Sequence, residues 1–194
     1  MFGRKIILAS ASPRRKELFK MITEEYSVIS PDIFEIVPKG LEVFQVAEYL
    51  AAQKAVAVAN GLSDGDIESV IIGCDTVVIY NDEMLGKPRD KEDARRMLEL
   101  LSGKKHCVTT GCCVYSKQGS LSFCETTEVE FYKLGSREID EYVMTDEPFD
   151  KAGAYGIQGS GGLFVRGITG DYYNVVGLPV ARLKRVVEEF INNK

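Results

Sequence analysis

The sequence predicts an α/β domain, a mixed sheet flanked by helices, and three observations carry that expectation. Helical and extended segments alternate along most of the 194 residues. Two stretches of strand-like composition, 105–116 and 121–134, meet at Lys117-Gln118-Gly119, the pattern of an antiparallel hairpin. No internal repeat or low-complexity linker divides the chain, so residues 1–194 are expected to form one domain, with two lobes around a cleft as a variant of that plan.

The elements follow in order. Lys5 to Ala9 reads as a short buried strand. Ser12 supplies an N-cap oxygen and Pro13 suits the first helical position, so a helix runs to about Met21. Residues 26–31 (YSVISP) are extended, and 43–60 (VFQVAEYLAAQKAVAVAN) form a helix closed by Asn60-Gly61. On a 3.6-residue wheel Phe44, Ala47, Ala51, Ala55 and Val58 share one face. Residues 69–80, SVIIGCDTVVIY, form a long strand or a strand pair, followed by a turn at Asn81-Asp82-Glu83. Asp90 caps a charged helix over 90–102 that ends at Ser102-Gly103. After the hairpin, Ser136 caps a helix to about Met144. A long loop then spans Thr145 to Gly162, a strand lies near 163–168, and a helix from about Pro179 to Ile191 closes the sequence. The loop exceeds the usual length of structureless connections, which marks it as functional or mobile.

Bulk properties narrow the function. Hydrophobic residues make up 45% and charged residues 27%, an ordinary soluble composition. No apolar run approaches the roughly 20 residues of a membrane span, and MFGRKIILAS has no secretory core, so a cytoplasmic location is expected. A net charge of −5 argues against general binding to nucleic acid or anionic membranes. Five cysteines (Cys74, Cys107, Cys112, Cys113, Cys124) form no C-x-x-C pair, and His106 is the only histidine. Buried free thiols and a structural histidine are therefore expected, rather than a zinc site or a Ser-His or Cys-His centre.

The chemistry-bearing features begin at ILASASPRRKELF. Capping accounts for Ser12 and Pro13; it leaves over Ser10, Arg14 and Arg15, a hydroxyl and two guanidiniums that suit phosphate oxygens at a helix start. Asp75 stands inside an apolar β-forming run, where aspartate is uncommon unless paired or metal-bound. Lys54 projects into the apolar arc of its helix, so it either snorkels outward, the commoner case, or reaches an anion. Lys87 lies in the turn Gly86-Lys87-Pro88. The glycines of EPFDKAGAYGIQGSGG would let backbone approach a ligand closely, although neither a P-loop nor a dinucleotide fingerprint is present. Clustered cations, isolated carboxylates and a glycine-rich loop are the parts needed to bind a polyphosphate with a divalent metal.

Six motifs in register carry a resemblance: LASASPRR, QKA at 53–55, GCDTVV at 73–78, GKP at 86–88, DKAGAYGIQG at 150–159 and YNVVGLP at 173–179. Together they resemble the Maf proteins. The resemblance implies a twisted mixed sheet with a central cleft, similar to the inosine triphosphatases. It also implies a nucleoside triphosphate pyrophosphatase that uses a divalent cation, Mg²⁺ or Mn²⁺, and cleaves between the α and β phosphates. DKAGAYGIQG looks like the branch acting on dTTP and UTP. A 7-methyl-GTP-type enzyme and a nucleotide-binding regulator of septum formation are the alternatives. By position the proton acceptor falls on Asp75, specificity positions on Arg14, Thr76 and Gln158, and other site positions on Ser10, Arg15, Glu35, Lys54 and Lys87. Ser12 is expected beside the substrate as well.

Within this expectation, Asp75, Glu35, Lys54 and Lys87 are the catalytic candidates and Glu35 and Asp75 the candidate metal ligands; whether Asp75 is base or ligand stays open. The expected partners are a nucleoside triphosphate and, as an option, a second copy of the chain. The sequence departs from the family at Cys74 (commonly alanine), at Phe34 before Glu35 (commonly acidic) and at Asp171 (commonly serine). The last places the end of the pocket in question.

Overall fold

Four apolar residues, Ile6–Ala9 (β1), run parallel to both Ser27–Ile29 (β2) and Val70–Tyr80 (β3). In this computed structural model residues 3–193 are described; residues 1, 2 and 194, the ends of the expected 1–194 domain, lie outside the described residues. Glu83–Leu85 (β4) folds back antiparallel onto the end of β3. Lys105–Ser116 (β5), Gly119–Phe131 (β6) and Val165–Thr169 (β7) complete a sheet ordered β2-β1-β3-β5-β6-β7, with β4 paired to β3. Two residues, Lys117 and Gln118, join β5 to its neighbour β6, a link that only antiparallel strands can use. The expected mixed sheet is therefore present.

Among the described residues six α-helices accompany it: Pro13–Phe19 (α1), Val43–Asn60 (α2), Lys91–Leu101 (α3), Ser136–Val143 (α4), Tyr172–Val176 (α5) and Val180–Asn192 (α6). None of the described helices is long and apolar enough to cross a membrane. The chain divides into two compact units. The first comprises the residues up to Asp75, Thr110–Glu125 and the residues from Gly177 on; the second comprises Thr76–Thr109 and Thr126–Val176.

In the first unit Ile7, Ala9, Ala51, Ala55, Val58, Ile71 and Cys113 form one apolar cluster. Its tightest point is Gly73, where an added Cβ would lie 2.1 Å from the Ala51 carbonyl oxygen. The alanine stripe of α2 thus serves to bring the helix backbone onto β3. Phe44, expected on that apolar face, is 44% exposed because it sits in the first turn of α2, ahead of the buried stretch.

The second unit packs Leu98, Leu101, Val108, Val129, Phe131, Tyr155 and Phe164 together. His106 is buried among them, its Nε2 2.8 Å from the Tyr155 hydroxyl and its ring edge-to-face with Phe131. Burial pushes its pKa down to about 4, so it is neutral at pH 7 and structural, as the sequence suggests. All five cysteines are free; Cys74, Cys112 and Cys113 are buried, and Cys107 and Cys124 are half-buried.

In α3 the Asp90 carboxylate accepts from the Asp93 amide (2.8 Å), confirming the expected cap. The side chain of Asp93 in turn accepts from Arg96 and from Arg89, which together hold its pKa down to about 2. A carboxylate with a depressed folded pKa stabilises the fold above its ordinary value of 3.8 and loses that contribution as pH falls toward 2. Asp93→Asn should therefore flatten the acid limb of stability between about pH 4 and pH 2. Urea midpoints measured across that window check this, and an unchanged acid limb would refute it.

Several boundaries differ from the sequence expectation. Bonds from Met21 N to Leu18 O and from Ile22 N to Phe19 O tighten the end of α1, which stops at Phe19 rather than Met21. Asn81 and Asp82 both adopt left-handed backbone (φ 51° and 61°), making a two-residue hairpin turn, so Glu83 begins β4 instead of ending the turn. β3 is one continuous strand. Gly135, not Ser136, is the N-cap of α4; its amide donates to Glu138 Oε2 at 3.3 Å. The hairpin's second strand begins at Gly119 and ends at Phe131, and the last strand spans 165–169. The stretch from Thr145 to Gly162 is not structureless, since short 3-10 turns occupy Glu147–Asp150, Ala152–Ala154 and Ser160–Phe164. α5 was not expected; the Asp171 carboxylate starts it by accepting from the Tyr173 amide at 2.8 Å.

Candidate functional site

Strand alternation decides where Asp75 points. Ile71, Gly73 and Asp75 share the β3 face that meets α2, whereas Cys74 lies on the other face with its Sγ 3.7 Å from that of Cys112. On α2, Lys54 follows the close-packed Ala47 and Ala51, so its side chain is carried to Asp75 rather than to solvent. Lys54 Nζ donates to Asp75 Oδ1, and a second contact of 2.8 Å reaches Glu35 Oε1. The Lys54 and Asp75 side chains are only 11% and 12% exposed, while Glu35, on the segment between β2 and α2, is 50% exposed. Snorkelling, the commoner expectation for Lys54, is thus overturned: one ammonium bridges two carboxylates.

This trio carries a formal charge of −1 and the Asp75–Lys54 arm is largely withdrawn from water, so charge interactions there are strong. It also bears on a metal. Among the described residues no group of three or more His, Cys, Asp and Glu converges. The donors at hand are the two carboxylates that meet at Lys54. Magnesium is commonly held by one or two carboxylates, with waters and substrate phosphates completing its shell. Asp75 and Glu35 therefore fit a cation that arrives with a phosphate ligand.

The β1–α1 turn belongs to the same unit. Ser10, 3% exposed, accepts the Ser12 amide on its Oγ (3.2 Å), and Ser12 Oγ accepts the Arg15 amide (3.4 Å). Both serines thus shape the turn as well as offering hydroxyl donors. Arg15 Nε donates to the Gly177 carbonyl at 2.8 Å, which ties the start of the chain to the entrance of α6. Arg14 is half-buried in the first turn of α1. With only seven residues α1 has a short dipole, so the side chains, and not the helix end, are what this stretch offers an anion.

Thr76, Lys87 and Gln158 belong to the second unit, β3 passing from one unit to the other between Asp75 and Thr76. Thr76 is half-buried; Lys87 and Gln158 are exposed. The Gly86 carbonyl accepts from the Gly153 amide at 3.0 Å, so the turn carrying Lys87 is pinned to the loop carrying Gln158. The glycines of that loop admit the protein's own side chains. A Cβ at Gly156 would lie 2.5 Å from Lys151 Cε, and one at Gly159 would lie 2.4 Å from Glu147 Oε1. Close approach to a ligand, the sequence-based expectation, is not what these two positions require. Glu147 itself received no role from the sequence; an acid at the head of the glycine-rich loop EPFDKAGAYGIQGSGG was the available signal.

The six motifs pair off through these contacts. LASASPRR meets YNVVGLP at Arg15–Gly177, QKA meets GCDTVV at Lys54–Asp75, and GKP meets DKAGAYGIQG at Gly86–Gly153. Within YNVVGLP, the buried Asn174 amide donates to Val108 O and to Thr127 Oγ1, a structural use. The departure at Asp171 is also accounted for, since its carboxylate caps α5.

Fold and site define an α/β protein with a lysine-bridged carboxylate pair at the face between a helix and a mid-sheet strand. The chain belongs to the Maf family: the family model described as Maf-like protein matches residues 5–190. It is similar to proteins named dTTP/UTP pyrophosphatase from Bacillus cereus, Bacillus cytotoxicus and Bacillus anthracis, each 48% identical over 187 residues and 96% of both chains. A solved structure, that of the Staphylococcus aureus Ham1 protein, is similar at 20% identity with a TM-score of 0.45, over 66% of this chain and 72% of that one.

Proposed function

We propose that this chain is a nucleoside triphosphate pyrophosphatase that hydrolyses dTTP and UTP to the monophosphate and pyrophosphate. The observation that carries this reading is the Lys54 bridge between Asp75 and Glu35. It occurs in a chain 48% identical, over 96% of its length, to proteins named for that activity.

The chemistry is direct attack by water on the α-phosphorus. A bond forms from the water oxygen to the α-phosphorus, and the bond from that phosphorus to the α,β-bridging oxygen breaks. Pyrophosphate leaves with the bridging oxygen. The water's proton passes to the Asp75 carboxylate, whose position is set by Lys54 and the tight α2–β3 contact. Lys54 also keeps Asp75 and Glu35 from repelling one another as the anionic substrate arrives. Arg14 and Arg15 hold phosphate oxygens, and the Ser10 and Ser12 hydroxyls donate to them. Lys87 offsets charge on the departing pyrophosphate. Thr76 and Gln158 address the nucleoside, Gln158 through a side-chain amide that donates and accepts. A Mg²⁺ or Mn²⁺ ion would be held by Glu35 together with the substrate phosphates, Asp75 being the other carboxylate ligand in the alternative where it is not the base, and would neutralise phosphate charge.

A panel of dTTP, UTP, CTP, ATP, GTP and 7-methyl-GTP, assayed with Mg²⁺ and with Mn²⁺ for pyrophosphate and orthophosphate separately, tests the reading. Pyrophosphate release fastest from dTTP and UTP is expected. Preference for 7-methyl-GTP would overturn the substrate class, and tight binding without turnover would favour a regulatory protein.

A further inference from the structure

The loop carrying Gln158 closes on an acidic side chain that the chemistry above does not use. Glu147 accepts three hydrogen bonds: from the Tyr142 hydroxyl (3.0 Å), the Ser160 amide (2.9 Å) and the Gly161 amide (3.1 Å). Gly159 lies so close to the same carboxylate that no other residue fits there without movement. Lys151 secures the other side, its Nζ donating to the Glu147 carbonyl (2.7 Å) and to Asp150 Oδ1 (2.5 Å) while its stem fills the space beside Gly156. Residues 156–161 therefore bend around two side chains, and the exposed Gln158 stands between the two points of closest approach. Burial works against the charge of Glu147, but the amides of Gly161 and Ser160 and the Tyr142 hydroxyl outweigh it, leaving the pKa below the ordinary carboxylate value. The clamp is thus charged at neutral pH.

The orientation of a glutamine amide matters for a pyrimidine. Uracil and thymine present an N–H donor at position 3 and a carbonyl acceptor at position 4, whereas cytosine presents an acceptor and an amino donor at those positions. A Gln amide matches either base, depending on which way its oxygen and nitrogen face. A loop with glycines at 156, 159, 161 and 162 would sample many positions unless something held it. We propose that Glu147 is a positioning residue for base selectivity: its carboxylate holds the 156–161 segment so that Gln158 favours a uracil or thymine edge over cytosine. This rests on the pyrophosphatase reading and on Gln158 meeting the base.

The test uses full-length Glu147→Gln, which keeps the volume but removes the charge and turns one acceptor oxygen into a donor facing either the Ser160 amide or the Gly161 amide. Pyrophosphate release from UTP and from CTP is measured alongside hydrogen exchange of the Ser160 and Gly161 amides. Exchange should quicken about tenfold or more, as expected for a lost charge-assisted bond. The UTP-over-CTP ratio of kcat/KM should fall by about tenfold through KM for UTP, with kcat for UTP retained. A merely structural role would lower kcat for both nucleotides equally and leave their ratio unchanged; that result, or faster exchange with an unchanged ratio, overturns the proposal. Should Glu147→Gln fail to fold, Tyr142→Phe removes one of the three bonds and must shift the ratio in the same direction; no shift overturns it. If the wild-type protein releases no pyrophosphate from any nucleotide, the functional reading itself fails and the selectivity role with it. The exchange rates would still report the clamp in that case, so the two failures are told apart.

Discussion

Asp75→Asn should abolish most turnover while leaving the protein folded. The substitution preserves shape, and asparagine still offers an oxygen to Lys54, whose second partner Glu35 remains in place. What is lost is the negative charge and the capacity to take a proton. Positioned general bases contribute about 100- to 10,000-fold, and a decrease of that order in kcat on dTTP is expected. Removing one partner of a buried ion pair costs about 3–5 kcal/mol in the worst case. The surviving Glu35 contact and the remaining hydrogen bond should keep the actual loss well below that. Circular dichroism and a thermal melt establish that the variant is folded, and steady-state kinetics give the decrease. A folded Asp75→Asn enzyme that turns over dTTP at the wild-type rate would refute the role given to Asp75.

Gly73→Ala should be among the most destabilising single-methyl additions in the first unit. The new Cβ would lie 2.1 Å from the Ala51 carbonyl oxygen and 2.9 Å from the Ala55 amide nitrogen. Both are backbone atoms of a regular helix, so no side-chain rotation relieves the overlap. Overpacking commonly costs about 1–3 kcal/mol where side chains can shift, and this site sits at or above the top of that range. Because Asp75 reaches Lys54 across the same helix–strand contact, lifting α2 off β3 should lower activity along with stability. Urea unfolding and kcat on dTTP measure both effects. A variant with the wild-type midpoint would show that the contact is not as tight as described.

The parts of this molecule legible in the sequence are those decided within a few neighbouring residues. Ser12 with Pro13, and Asp90, announce helix starts because a cap needs only its own first turn. The 18-residue α2 matched its predicted limits because a long run rich in alanine and other helix formers, closed by Asn60-Gly61, leaves little choice. Asp75 and Lys54 each stood out as polar groups in apolar company, but their pairing depends on α2 landing on β3, a contact between residues 21 positions apart. Local pattern favours snorkelling for such a lysine; the tertiary contact decided otherwise. Two of the loop glycines show the same limit of local pattern. Glycine announces close approach without saying to what, and at Gly156 and Gly159 the answer is Lys151 and Glu147. β4 and α5 escaped notice because each is short and depends on one local device, the left-handed Asn81-Asp82 turn and the Asp171 carboxylate.

The central claim is that water attacks the α-phosphorus of a pyrimidine nucleoside triphosphate. Hydrolysis of dTTP in ¹⁸O-labelled water, with the products resolved by mass spectrometry, tests it most directly. The label should appear in the thymidine monophosphate, with unlabelled pyrophosphate as the other product. Label in pyrophosphate would mean attack on the β-phosphorus, and release of labelled orthophosphate would mean cleavage at the terminal phosphate; either result contradicts the mechanism assigned to Asp75 and Lys54.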